Sequence, residues 1–162
     1  MNIRKANHYD VLAIHELAEK IWWPTYRTII SEEQIRFMLE DMYSENALQE
    51  QMDTGLQFFL AERDHIPVAF AGYSLSDMED HVCKLHKLYV LPTEQGRGTG
   101  KKLIEHIASI AKSLGGEILE LNVNRGNPAL EFYQKSGFEI CHSVDIPYHH
   151  FVLNDYVMRK AL

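Results

Sequence analysis

The sequence has few of the features that mark secreted, membrane-spanning or metal-binding chains. Its two cysteines, Cys83 and Cys141, are too few for a disulfide framework and too far apart for a zinc pattern. The first ten residues lack the apolar core of a signal peptide, and no apolar run approaches the roughly 20 residues of a membrane span. We therefore expect a cytoplasmic protein with no membrane partner and no bound metal.

Linkers and repeats are also absent from the sequence. No Pro/Gly/Ser-rich tract, low-complexity block or solenoid repeat interrupts it, so we expect residues 1–162 to form one domain. Hydrophobic residues make up 46% of the chain, enough to bury a core unaided. The formal net charge of −7 argues against general nucleic-acid binding and is compatible with a cationic substrate.

Hydrophobic periodicity predicts an α/β fold. A helical stripe begins at Val11 and is expected to end near Pro24, Ser31 with Gln34 has the form of a capping box, and Ser44 can cap a third helix. Two further helices are expected after a glycine cluster and at 128–135. Strands, three of them consecutive and antiparallel, are expected at 3–6, 56–61, 68–74, 82–91, 118–123, 138–144 and 151–158.

The glycine cluster, Gln95-Gly96-Arg97-Gly98-Thr99-Gly100, lies between a predicted strand and an amphipathic helix. Its glycines let backbone N–H groups converge at a helix N-terminus, which favours a phosphate. A P-loop does not fit, because no glycine stands five places before Gly100 and Lys102 occupies the Ser/Thr position. A dinucleotide fingerprint fits poorly, because the spacing is G-x-G-x-G and Glu120 lies in mid-strand. A structural turn without a ligand stays open at this point.

Two motifs together resemble the GNAT acetyltransferase superfamily. Gln95-x-x-Gly98-x-Gly100, preceded by Leu88-Tyr89-Val90-Leu91-Pro92, is similar to the acetyl-CoA loop of that family, Q/R-x-x-G-x-G/A. Asn127-Pro128-Ala129-Leu130-x-x-Tyr133-x-x-x-Gly137-Phe138 resembles its asparagine, tyrosine and Gly-Phe segment. The resemblance covers essentially the whole chain and implies a mixed, mostly antiparallel sheet of about seven strands flanked by helices. Segments 22–26, 31–42 and 154–158 resemble bacterial polyamine acetyltransferases more narrowly.

The resemblance also implies roles for individual residues. Backbone amides from Gln95 to Lys101 would hold the pyrophosphate of acetyl-CoA, and the Leu88 N–H would stabilise the oxyanion of the tetrahedral intermediate. Tyr133, near the sulfur in the family, would protonate the departing thiolate. The cofactor-binding residues implied are Leu88, Val90, Gln95, Gly96, Arg97, Gly98, Gly100, Lys101, Asn127 and Tyr133.

The acceptor side is less defined by the sequence. Some family members carry a glutamate where this chain has Lys84, so the base is unidentified. His86 is the nearest alternative, because strand alternation places it on the same face as Leu88 and its pKa suits the task. The predicted binding residues for a small-molecule amine acceptor are Trp23, Tyr26, Tyr148 and His149.

Three functions remain open on the sequence. The first is an N-acetyltransferase in which a primary amine attacks acetyl-CoA directly in a ternary complex, with polyamines, other small amines, protein lysines or N-termini as acceptors. The second is a non-catalytic acyl-CoA sensor, favoured by the missing glutamate. The third is an interaction module that forms a homodimer through its apolar C-terminal strand at 151–158.

Overall fold

A seven-stranded sheet in the order β1-β2-β3-β4-β5-β7-β6 organises the chain. The computed structural model describes residues 1–75 and 79–162. β4 and β5 are parallel, and every other neighbouring pair is antiparallel, which confirms the expected mixed sheet. The strands are Asn2–Lys5 (β1), Gln57–Arg63 (β2), Ile66–Ser74 (β3), Val82–Val90 (β4), Ile118–Asn124 (β5), Glu139–Tyr148 (β6) and Phe151–Ala161 (β7).

Serine side chains begin two of the helices, as expected. The Ser31 hydroxyl accepts a hydrogen bond from the Gln34 N–H at 3.1 Å, and Ser44 caps the next helix through the Ala47 N–H at 3.2 Å. The helices are Val11–Tyr26 (α1), Glu32–Tyr43 (α2), Glu45–Asp53 (α3), Thr99–Ser113 (α4) and Ala129–Lys135 (α5).

α1 ends at Tyr26, near the predicted end, and continues through Pro24 rather than stopping at it. Proline removes one N–H from the helix but has a helical φ. Two bonds hold the turn around it: the Thr25 hydroxyl donates to the Ile21 carbonyl at 2.7 Å, and the Arg27 N–H donates to the Trp23 carbonyl at 3.1 Å. The extra turn brings Tyr26 over the sheet.

Both faces of the sheet bury a core. α4 and α5 pack on one face, where Leu103 and Phe138 are almost fully buried. α1, α2 and α3 cover the other face around Ile14 and Phe70. Each such side chain stabilises the fold by about 1.5–3 kcal/mol. The two faces are called the α4 face and the α1–α2 face below.

The parallel pair of β4 and β5 is short and then diverges. Its register runs from Val82↔Ile118 only to Leu85↔Leu121. Beyond that point β4 stays paired with β3, and β5 stays paired with β7. The sheet therefore has a gap between residues 86–90 of β4 and residues 122–124 of β5.

A β-bulge in β4 lies at the start of this gap. Lys87 pairs with Gly72, but Leu85 pairs with Tyr73, so His86 is an extra residue in β4. A bulge interrupts the strict alternation of side chains along a strand. Residues on either side of His86 therefore do not follow the faces that simple alternation predicts.

Candidate active site

A cavity of about 1120 Å³ lies at the gap between β4 and β5. The glycine loop, the diverging strand ends and α5 line one part of it, and α1 and α2 line another. The cavity is therefore reached from both faces of the sheet. Its volume slightly exceeds the usual size of a small-molecule site and leaves room for two ligands side by side.

The glycine loop leaves its backbone open toward the cavity. Gly96 and Gly98 have φ values of +81° and +82°, and no described atom lies within 4 Å of the Cβ positions that other residues would add. At Gly100 an added Cβ would lie 3.0 Å from the Phe132 ring. The first N–H groups of α4 have no intrahelical acceptors and carry the positive end of the helix dipole. The loop therefore fits an anionic group such as a pyrophosphate.

A buried carboxylate fixes the base of this loop. Glu94 is 4% exposed, and its Oε1 lies 2.6 Å from the Arg63 guanidinium and accepts the Thr99 hydroxyl at 2.9 Å. The hydrogen bonds from Arg63 hold the pKa of this carboxyl below its usual value. Sequence reasoning missed this pair, because the two residues are far apart in the chain and no motif joins them.

The predicted charged residues of the loop lie in different places. Lys101 lines the cavity, with its ammonium 3.9 Å from Glu105. Arg97 lies outside the cavity lining, half exposed, with its guanidinium 3.5 Å from Glu94. A role for Arg97 in holding phosphate stays a prediction.

The outer end of β4 presents backbone groups to the gap. The Leu91 N–H donates to the Val68 carbonyl of β3 at 3.0 Å, whereas the Val90 carbonyl accepts the Gln95 side-chain amide at 3.3 Å. Because successive residues of a strand direct their hydrogen-bonding groups to opposite sides, Val90 and Leu88 face the gap. An extended ligand arm can pair with this free edge as an added strand.

Tyr133 is buried in the core of the α4 face and lines the cavity together with a polar cluster of Asn127, Tyr26 and Tyr89. The Asn127 side chain accepts the Ala129 N–H at 2.9 Å and donates to the Tyr26 hydroxyl at 3.4 Å. The Tyr26 and Tyr89 hydroxyls are 3.0 Å apart. Burial, with a smaller contribution from Tyr26, raises the pKa of Tyr133. The Tyr133 phenol is therefore protonated at neutral pH and can act as an acid.

His86 lies on a different face from the one that alternation predicted. Its Nε2 is 2.7 Å from the Ser74 hydroxyl, and it lines a smaller cavity of about 350 Å³ together with Lys84. Leu88 packs against the core of the α4 face, and the bulge separates the two. The expected shared face was wrong for this reason. His86 also reaches the lining of the large cavity, so its role as a base stays a prediction.

The part of the cavity under α1 and α2 is aromatic. Tyr26, predicted from the sequence, lies here, with rings of Trp22, Tyr43 and Tyr89 around it. Such rings can bind a cation through their faces. This aromatic wall lies across the gap from the glycine loop.

The other predicted acceptor residues lie outside this lining. The Arg36 guanidinium packs 5.9 Å from the Trp23 ring. The Tyr148 hydroxyl hydrogen-bonds to Asp41, and the His149 ring lies 4.8 Å from Phe37. These contacts attach the turn between β6 and β7 to α2. Binding of the acceptor by Trp23, Tyr148 and His149 stays a prediction.

Sequence reasoning also missed a buried amine, Lys87. The residue is 6% exposed, and its Nζ lies 2.6 Å from Gln51 Oε1 and 4.2 Å from the centre of the Tyr43 ring. Burial lowers its pKa to about 7. Lys87 is part of the cavity lining, and its amine is directed toward Gln51 of α3.

No three His, Cys, Asp or Glu side chains of the described ranges come together as a metal site would require. Across the same ranges, no helix combines the length and apolar character of a membrane span.

Comparison with known proteins places the chain in a family. The acetyltransferase (GNAT) family model matches residues 15–138. A spermidine N(1)-acetyltransferase of Thermoplasma acidophilum is 28% identical over 146 residues, which cover 86% of this chain and 89% of that protein. An uncharacterised N-acetyltransferase of Methanocaldococcus jannaschii is 38% identical over 87 residues, which cover 51% of this chain but only 38% of that protein.

Comparison with solved structures agrees with the family match. The crystal structure of the PaiA N-acetyltransferase of Thermoplasma acidophilum, in complex with coenzyme A, has a TM-score of 0.84 and 26% identity. The match covers 99% of this chain and 98% of that one. Together with the glycine loop and the divided sheet, these matches show that the chain belongs to the GNAT family of N-acetyltransferases, with acetyl-CoA as the cosubstrate that its cavity fits.

Proposed function

We propose that this protein moves the acetyl group of acetyl-CoA directly to a primary amine of a small molecule, with polyamines as the leading class of acceptor. The observation that carries the proposal is the cavity at the gap in the sheet, which is reached from both faces. The glycine loop serves the acetyl donor from one face, and the aromatic wall serves the amine from the other. Direct transfer needs this simultaneous access.

The residues around the gap have distinct parts in the proposed reaction. When bound, acetyl-CoA supplies a thioester carbon open to attack by an amine. The loop N–H groups hold its phosphates, and the Leu88 N–H donates a hydrogen bond to the carbonyl oxygen as negative charge develops there, a contribution of about 3 kcal/mol for one donor. Tyr133, kept protonated by burial, gives its proton to the departing sulfur.

The acceptor side suits a polyamine in three respects. The aromatic wall offers ring faces to a cation. α2, which lines the cavity through Gln34 and Met38, carries the exposed carboxylates of Glu33 and Asp41 on its surface. The similar Thermoplasma enzyme is a spermidine N(1)-acetyltransferase. Against these stands Lys87, but burial of its amine lowers its pKa to about 7, which lessens repulsion of a cation.

Free-thiol release from acetyl-CoA tests the proposal. The purified protein is given spermidine, spermine, aminoglycosides, amino acids and lysine peptides in turn. We expect release stimulated by polyamines, with kcat about 10²-fold lower in Tyr133→Phe and unchanged in the control Tyr9→Phe, whose side chain is 85% exposed. Stimulation only by another amine class would refute the polyamine assignment.

Two other results would replace the proposed function. Tight binding of acetyl-CoA without release for any amine would favour the acyl-CoA sensor, and release with lysine peptides alone would favour a protein acetyltransferase. Cytoplasmic location and homodimer formation stay predictions, which fractionation and sedimentation test separately.

A further inference from the structure

We propose that Asp155 is the base that takes the proton from the acceptor ammonium. The residue lies on β7, where it pairs with Asn124 at the diverging end of β5, and it lines the cavity. Its neighbours Tyr156 and Met158 belong to the core of the α4 face. By alternation, Asp155 therefore points to the α1–α2 face, the side from which the acceptor comes.

Few carboxylates compete for this role. Among the cavity-lining residues in the described ranges, two are acidic, Glu94 and Asp155. Glu94 is held by Arg63 and Thr99 at the base of the glycine loop. Asp155 is half-buried and borders the gap directly. It is the carboxylate of this lining that is placed to accept a proton.

A second, independent observation is the side chain of Asn122. Asn122 and Asp155 lie on the paired strands β5 and β7 and both line the cavity, and the Asn122 amide lowers the pKa of the Asp155 carboxyl. The Asn122 oxygen is buried and has no partner among the described residues, although the residue lines the cavity. Buried polar atoms without partners are rare and costly. Asn122 and Asp155 therefore form a polar part of this lining, in which the Asp155 carboxylate is the group that can accept a proton.

The surroundings of Asp155 suit a base. Burial raises its pKa, which makes the carboxylate a stronger proton acceptor. The Asn122 amide and the positive charges of Arg125 and Lys84 act in the opposite direction and lower this pKa. Tyr26 of α1 and Tyr133 of α5 line the same cavity as Asp155. The proposed acid and base thus border one cavity.

Proton transfer in the proposed reaction balances as follows. The ammonium nitrogen has three protons and the product amide retains one. Asp155 takes the first proton, and the freed amine attacks the thioester carbon. When the carbon–sulfur bond breaks, Tyr133 gives its proton to the sulfur and regains one from the nitrogen. Asp155 later releases its proton to water, so the free thiol, the amide and one proton leave.

Two acceptors of similar size test this step, given the proposed transfer to amines. At pH 7.5 ethylamine is protonated, whereas 2,2,2-trifluoroethylamine is already neutral and needs no base before attack. We expect Asp155→Asn to lower kcat/KM for ethylamine by about 10²-fold and for trifluoroethylamine by less than about tenfold. Asp64→Asn, in an exposed turn between β2 and β3, is the matched control and should behave as wild type.

Chemical rescue provides the second measurement. Asp155→Ala leaves space for a small carboxylate, so added formate should raise the rate of this variant with ethylamine at least tenfold. Acetyl-CoA affinity, measured by calorimetry, should stay within twofold of wild type in both variants and shows that they fold.

Several outcomes would overturn the assignment. Asp155 is excluded as the base if Asp155→Asn lowers kcat/KM equally for the two amines, or if it raises KM and leaves kcat unchanged. It is also excluded if His86→Gln lowers kcat/KM for ethylamine more selectively than Asp155→Asn does. If both Asp155 variants fail to fold and the wild-type enzyme acetylates the two amines equally well, Asp155 is also excluded as the base. Failure of the wild type to acetylate any amine would instead refute the proposed function.

Discussion

Replacing Lys87 by methionine tests how much a buried amine beside the aromatic wall destabilises the fold. Burial lowers the pKa of Lys87 from 10.5 to about 7, so the fold favours the neutral amine. Between those values the unfolded chain binds more protons than the folded one, and stability rises with pH. Below pH 7 both states are protonated and the full cost of the buried charge remains. Above 10.5 the cost vanishes.

The size of the effect follows from the shift. Each pKa unit corresponds to 1.36 kcal/mol, so wild type should gain roughly 2 kcal/mol of unfolding free energy between pH 7.5 and 9.5 from this lysine alone. Lys87→Met should lose that gain and be more stable than wild type at pH 7. In this variant Gln51 loses its 2.6 Å hydrogen bond from Lys87, which reduces the expected gain in unfolding free energy at pH 7 by about 1 kcal/mol. The variant Gln51→Leu, which also loses the 2.8 Å hydrogen bond from Gln51 to the Met42 carbonyl, serves as the reference for the double variant Lys87→Met/Gln51→Leu.

Urea unfolding at pH 6.5, 7.5, 8.5 and 9.5 measures the prediction. Lys20→Met, on an exposed position of α1, is the matched control and should retain the pH dependence of wild type. The reasoning is refuted if Lys87→Met and wild type have parallel stability curves across this range. It is also refuted if the variant is less stable than wild type at every pH, because the contacts of the Lys87 amine would then stabilise the fold by more than its burial costs.

Two further predictions concern the glycine loop. Gly98→Ala and Gly115→Ala both place an L-residue at a left-handed φ in open space, so each should lower the free energy of unfolding by about 1 kcal/mol. Only Gly98→Ala should also weaken acetyl-CoA binding, by at least tenfold as measured by calorimetry. Glu94→Gln should lower the melting temperature at pH 7. Because the pKa of Glu94 in the folded protein lies below 4.5, the difference in melting temperature between variant and wild type should disappear as the pH falls through that pKa.

The sequence predicted the parts of the site that depend on local pattern. Alternating strands, helix caps and the glycine loop are short-range features, and each lies where expected within a few residues. The bulge at His86 was not predictable, because it arises where Gly72 and Tyr73 of β3 pair with β4. Likewise, Lys87 meets Gln51 and Arg63 meets Glu94 only after the chain folds. What sequence reasoning missed are contacts between side chains distant in the chain.

The charges on the α1–α2 face also limit how a polyamine can lie in the cavity. In the proposed reaction the reacting ammonium meets Asp155 at the gap. Lys84 lies on the lining near that point, so a second ammonium is repelled from this end. The buried Lys87 adds little, because its amine is directed toward α3 and burial lowers its pKa to about 7. α2 lines the cavity through Gln34 and Met38 and carries the exposed carboxylates of Glu33 and Asp41, beside His150 and His149, so the negative charge near the cavity is on the α2 side. A long polyamine should therefore extend from the gap toward α2, and shortening it to a monoamine should raise KM more than it lowers kcat.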